Sequence, residues 1–188
     1  MCCALGERLV ASCLPGWQLA GPTIDTRGVT KLLAALPRYA QQAERVQPVL
    51  CIADTDGQCP VHLLAQCWAV RTAPRLLLRL AVTEAESWVI ADRAGTAQAL
   101  DVPLTRLPHR PDEEQDPKRL LLTLAARSKK RAIREELVSS SDRSKPGSGY
   151  NLHLGAFVRS HWDARRAALA SPSLARAVNR VEALASMT

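Results

Sequence analysis

The chain has 188 residues, enough for one domain with a hydrophobic core or for a domain with a helical appendage. Aromatic residues are only 4% against 47% hydrophobic, so Leu, Ala and Val build most of the core, and the composition argues against stacking platforms for single-stranded bases. The net charge of +7 permits a polyanionic partner, and no apolar run approaches the ~20 residues of a membrane span.

Residues 4–14 read as a helix that ends in the Pro15-Gly16 turn. Residues 17–24 have the character of a short strand interrupted by Gly21-Pro22. A helix is predicted over 28–45, with Val29, Leu32, Leu33 and Leu36 on one face and a bend or break at Pro37. The run 49–53 is a buried strand that stops at Asp54-Thr55-Asp56-Gly57. A short helix over 61–68 leads to a second apolar strand over 76–82, which stops just before Glu84 and Glu86. Strand, helix, strand with near-continuous apolar strands predicts parallel βαβ construction.

Beyond Thr83 the chain turns helical, over 84–92 and 94–100. A Pro-rich, acidic connection spans 102–116. Asp116-Pro117 and Ser171-Pro172 each pair a helix cap with proline at the first helical position. Residues 139–149 form a Ser/Gly/Pro connector, too far from the P-loop pattern to bind phosphate by that device. The expected fold is therefore α/β, a small parallel sheet flanked by helices with a helical C-terminal half. The division is an α/β core over 1–101 and a basic, helical region over 102–188 packed on it. Only three strands are visible, and the chain opens on a helix where a βαβ fold usually opens on a strand.

The two strands deliver carboxylates at their C-terminal ends, the rim where open α/β sheets hold ligands. In an extended strand Asp54 and Asp56 share a face and converge on one ion; the alternative is a polar turn. Glu84 and Glu86 either complete that site or serve a capping box begun by Thr83. An oxygen-only cluster suits Mg²⁺ or Mn²⁺. Trp88 reads as core or interface, and Asp92 closes its helix or lines the site. Lys118, Arg119, Arg127, Lys129, Lys130, Arg131 and Arg134 form a basic block, extended by Lys145. It contacts a phosphate backbone or pairs with neighbouring carboxylates. The six cysteines show neither a disulfide framework nor a paired zinc motif, and with no secretory signal before them a reducing cytoplasm is expected. Cys59-Pro-Val-His62 supplies only half of a zinc spacing.

Asp54-x-Asp56, the Leu76 to Asp92 segment with Glu84-Ala-Glu86-Ser-Trp88, Asp116-Pro-Lys118, Arg127-Ser-Lys-Lys-Arg-x-Ile-Arg134 and Gly149-Tyr-Asn151 together resemble a Toprim-like family of bacterial proteins associated with ATPases and phage-defence loci. The resemblance covers about Leu5 to Arg180. It implies a Toprim-like sheet and a Mg²⁺- or Mn²⁺-dependent nuclease that hydrolyses DNA in preference to RNA. In that reading Asp54, Asp56, Glu84 and Glu86 are metal ligands and catalytic residues, and Lys129, Lys130, Arg131, Arg134 and Lys145 meet the nucleic acid. An ATPase partner is implied, a homo-oligomer is compatible, and no membrane is involved. Toprim domains also place a Glu after their first strand. Here Glu7, an additional candidate ligand, is the only early carboxylate and falls within the first helix. The chain is truncated there, has lost a ligand, or uses Glu7 instead. Loss of the ligand would leave a degenerate module that contacts DNA or regulates an ATPase.

Overall fold

The computed structural model describes residues 1–67 and 72–186. Two strands, β1 (Val49–Asp54) and β2 (Leu76–Ala81), pair in parallel, with Val49 opposite Leu76 and Asp54 opposite Ala81. Their two-residue period sorts the side chains between two cores. Cys51, Ala53, Leu76, Leu78 and Leu80 face one side, where α2 (Val29–Arg45) supplies Val29, Leu32, Leu36, Ala40 and Ala43. Leu77 and Ala81 face the other, with Leu50 and Ile52 partly buried against it. The expected α/β architecture, a small parallel sheet between helices, is the observed one.

Two local expectations fail. Residues 17–24 form no strand: Gly21-Pro22 interrupts the run and removes a donor, and Leu19 and Ile24 lie exposed. Helix α2 runs unbroken through Pro37, because the buried positions 29, 32, 36, 40 and 43 anchor both sides of it. After β1 comes α3 (Pro60–Ala65); the predicted end of that helix at Trp68 lies outside the described residues.

The larger core is built from both sides of residue 101. Helix α1 (Cys2–Cys13), α4 (Ala85–Ala91) and α5 (Arg93–Leu100) share it with α6 (Pro117–Ala125), α7 (Arg131–Leu137), α8 (Tyr150–Ser160), α9 (Ala164–Ala168) and α10 (Pro172–Glu182). Leu5 and Leu9 of α1 meet the fully buried Trp88 and Trp162 in this cluster. Trp88 donates its indole N–H to Ser173 Oγ (2.7 Å), and Trp162 donates to the Trp88 carbonyl (3.0 Å). Asp116 and Ser171 cap α6 and α10 as expected, accepting from Arg119 N (2.8 Å) and Leu174 N (3.1 Å). Among the described residues no helix is long and apolar enough to cross a membrane.

Asp92 is fully buried and structural. Its carboxylate accepts from the main chain of Gly95 (3.1 Å) and Asp163 (2.9 Å), and from Arg166 Nε (2.5 Å) and a second guanidinium nitrogen (2.7 Å). The four contacts lock the α4–α5 corner to the start of α9. Gly95 makes room for them, since a Cβ there would stand 2.3 Å from Asp92 Oδ2. Asp92 is buried while the Arg166 side chain is 46% exposed, so removing the guanidinium leaves a buried carboxylate with its main-chain donors alone. Arg166→Met should therefore lower the unfolding free energy by about 2 kcal/mol, measured by urea denaturation; a loss under about 0.5 kcal/mol, the scale of an ordinary surface change, would contradict the role given to Asp92.

Candidate carboxylate site at the strand ends

The ends of β1 and β2 are tied by Thr55, whose N–H (3.2 Å) and hydroxyl (3.0 Å) both donate to the Thr83 carbonyl. One step back, Asp54 Oδ1 accepts from the Ala85 N–H at 2.6 Å. Asp54 thus caps α4 from another element and satisfies the first free amide of that helix. The capping box expected from Thr83 does not form. Glu84 occupies the N-cap position without a side-chain cap, and the Thr83 hydroxyl turns to the Glu114 carbonyl (3.4 Å).

With α4 started by Asp54, its second residue, Glu86, points inward and is 3% exposed. Glu86 Oε1 accepts from the Tyr150 hydroxyl (3.1 Å) and lies 3.8 Å from Lys118 Nζ. Glu84 Oε2 accepts from the Lys118 N–H at 3.0 Å, so the first turn of α6 faces the cluster. Asp56 is exposed and does not continue the strand: its φ of 48° and that of Gly57 (74°) turn the chain. The same-face argument for Asp54 and Asp56 therefore fails, although Asp56 stays near enough for its charge to act on Asp54.

Tyr150 follows the 139–149 segment, a mostly exposed loop whose last residues are tied back to the end of α7. Gly147 N–H donates to the Leu137 carbonyl (2.9 Å) and Gly149 N–H to that of Glu136 (3.0 Å). A Cβ on Gly147 would meet the Glu136 carbonyl oxygen at 2.3 Å, so glycine is required for this approach to the end of α7.

Burial and like charge dominate the electrostatics. Burial, and then Glu86, push the Asp54 carboxyl up to about 6. Glu84 is raised too, by burial first. The Tyr150 hydroxyl is raised by burial and by Glu86, so it stays a donor. Cys2 Sγ lies 3.8 Å from Asp54 Oδ1, and burial followed by the Asp54 charge pushes this thiol up to about 12. Asp54, Asp56, Glu86 and Lys118 border one groove; Asp56, Glu84, Asp116 and Lys118 border a second, shallower depression.

The other candidate residues lie apart from this cluster. The Glu7 carboxylate is engaged by Arg159 Nε (2.5 Å) and the Thr23 hydroxyl (2.7 Å), which hold it below its ordinary range. Lys129, Lys130 and Arg131 are exposed, the last pairing with Glu135 (2.7 Å). Arg134 is spent on the carbonyls of Ser128 (2.6 Å) and Lys129 (3.0 Å), and Lys145 pairs with Asp142 (3.3 Å). Thr55, Lys118 and Tyr150 complete the site with no local signal of that role; Gly149-Tyr-Asn151 was the nearest clue. Comparison with protein-family models, with curated proteins and with solved structures gave no match.

Asp54 yields a prediction with a definite sign. A carboxyl raised from 3.8 to about 6 contributes stability that is fully present below pH 3.8 and is lost as pH rises through about 6. Asp54→Asn keeps the Oδ1 acceptor and removes the charge. Its stability relative to wild type should rise between about pH 4 and pH 6, by at most about 3 kcal/mol, and then level off. Parallel pH profiles in urea unfolding would contradict this. Tyr150→Phe removes a donor from buried Glu86 and should cost about 1–3 kcal/mol at neutral pH by the same measurement.

Proposed function

We propose that the strand-end carboxylates serve a divalent-metal-dependent nuclease that hydrolyses phosphodiester bonds, DNA in preference to RNA. The observation that carries this reading is the convergence of Asp54 and Glu86 at one rim, beside Glu84 and Asp56, with the Asp54 carboxyl raised by burial first and then by the charge of Glu86. A cation relieves that repulsion. The donors are oxygens, as Mg²⁺ or Mn²⁺ prefers.

The fit to a metal is specific in its limits. Asp54 Oδ1, Glu86 Oε1 and Glu84 Oε2 already accept hydrogen bonds or an ion pair. Among the described residues no three Asp, Glu, His or Cys side chains stand close enough to share an ion. Mg²⁺ keeps several waters and takes one or two carboxylates. Asp54 and Glu86 would hold it, with Asp56 and Glu84 reached through water. Bound there, the ion would supply charge neutralisation at the phosphate and an activated water.

The chain's own residues have separate tasks. Tyr150 and the Lys118 ammonium orient Glu86. Lys118 borders both depressions and is placed to meet a phosphate oxygen. Lys129 and Lys130 remain exposed for contact with the nucleic-acid backbone, which needs clustered charge without a sequence code. Work alongside an ATPase in phage defence rests on the family resemblance. A second reading has its own support: Lys118 sits against Glu86 where a cation would sit, as in a module that has given up metal for a built-in ammonium. In that reading the chain is a DNA-contacting or regulatory subunit.

Plasmid and linear DNA cleavage with Mg²⁺ or Mn²⁺, alone and with an ATPase partner, separates the two. Wild type should cleave, and Asp54→Asn and Glu86→Gln should each lose more than about tenfold, the cost of even an outer metal partner. Equal rates in all three, or no cleavage by the wild type with its partner, would overturn the nuclease reading.

A further inference from the structure

Among the described residues strand β1 is paired along one edge only. Val49 N–H donates to the Arg75 carbonyl (3.0 Å) and Thr55 N–H to that of Thr83 (3.2 Å), so the odd-numbered residues address β2. By the alternation of a parallel ladder, Leu50, Ile52 and Asp54 direct their N–H and C=O groups to the opposite edge. Among the described residues nothing hydrogen-bonds those main-chain groups. All six residues of β1 border a groove of about 650 Å³. Gly6 and Val10 of α1 wall one side, Val29 and Leu32 of α2 wall the other, and the 17–26 segment, with exposed Leu19 and Ile24, also borders it.

An unpaired strand edge is a template for another strand. The six residues of β1 span about 20 Å. A strand laid along them would send alternate side chains toward α1 and toward α2. Val10, Val29 and Leu32 make the walls mainly apolar, with Tyr39 and Gln42 of α2 also bordering the groove, so the strand they suit is mainly apolar at successive positions, as strands buried on both faces are. One end differs. The charged side chains that border the groove are Asp25, Asp54, Asp56, Glu86 and Lys118, four acidic against one basic on a chain of net charge +7. Three of the acids and the lysine belong to the carboxylate cluster at the Asp54 end, where Lys or Arg is the complementary residue.

We propose that the open edge of β1 docks an extended, apolar segment of five or six residues from another polypeptide, carrying Lys or Arg at its Asp54 end. The main chain supplies affinity and the apolar walls supply selectivity, the mode of strand addition. A second folded copy fits less well, because its own β1 is recessed between the same two helices. The proposal needs neither a metal nor nuclease activity.

The probe is a fluorescein-labelled peptide with a polar tail and the core Val-Ile-Val-Ile-Val-Lys, titrated with the full chain in EDTA and read by fluorescence anisotropy. Saturable binding is expected, with slowed hydrogen exchange over residues 50–54. Methylating alternate peptide amides should weaken binding at least about tenfold, since each net hydrogen bond is worth a sizeable part of that factor. Replacing the terminal Lys by Glu should weaken it several-fold. Ile52→Pro removes a donor from the open edge, spares the β2 ladder, and should match the effect of methylation. If that variant does not fold, the methylated peptide still decides. Undiminished binding of the methylated peptide, absence of saturable binding, or a wild-type dimer that Ile52→Pro dissociates would each overturn the proposal. Because EDTA is present throughout, failure here leaves the nuclease reading intact, and failure of cleavage leaves this one intact.

Discussion

The bond from the Ala85 N–H to Asp54 Oδ1 fixes the geometry of the strand-end rim. Helix α4 has seven residues, too few to hold itself together in water, and it makes no side-chain cap of its own. Asp54 provides the acceptor, Thr55 clamps the Thr83 carbonyl beside it, and α4 starts in the one orientation that carries Glu86 inward. The parallel register places Asp54 opposite Ala81, three residues before Glu84, so the cap and the acidic pair arrive together.

The same carboxylate therefore bears on folding and on chemistry, and the two uses do not compete for one atom. Oδ1 is bound to the helix while the rest of the group meets a groove. The arrangement is costly by itself. Burial, with the charge of Glu86 added, raises the proton affinity of Asp54 and of Glu84, and Lys118 answers with one half-exposed ammonium 3.8 Å from Glu86. The surrounding core and the Asp92–Arg166 lock hold these groups in place against their repulsion. That is the pattern of a site whose local interactions are set by something other than stability.

Both strands were legible in the sequence, because an apolar run bounded by turn residues is a local signal. The caps at Asp116 and Ser171 were legible for the same reason, as was the gathering of Asp54, Glu84 and Glu86 near one rim, which follows from βαβ topology. What the sequence did not disclose are contacts made across the fold. Tyr150 lies 64 positions from Glu86 and Asp54 lies 31 from Ala85, and no periodicity links such pairs. Thr83 offered a capping box that matched the local pattern, and a tertiary partner displaced it. Asp56 was misplaced by extending strand geometry one residue into a turn. The 17–24 segment had strand-like composition, but Gly21-Pro22 denied it a regular main chain. Charge puts Lys118 in the basic block and the resemblance puts it in Asp116-Pro-Lys118, but neither discloses that its position in the first turn of α6 turns it toward the acids.

The spacing of Glu86 and its partners has a consequence for the order in which the molecule is made. A chain that has emerged only through α5 holds all four rim carboxylates but neither Lys118 nor Tyr150. It also lacks Arg166, so Asp92 would be left without its charge partner. Long-range closure of this kind comes late, because the intervening chain must be ordered before the contact repays it. The rim's Asp54–Ala85 bond lies within the N-terminal half, but its proton donor and its counter-charge, Tyr150 and Lys118, come from later in the chain, so a nascent or clipped N-terminal half carries the four carboxylates without either partner.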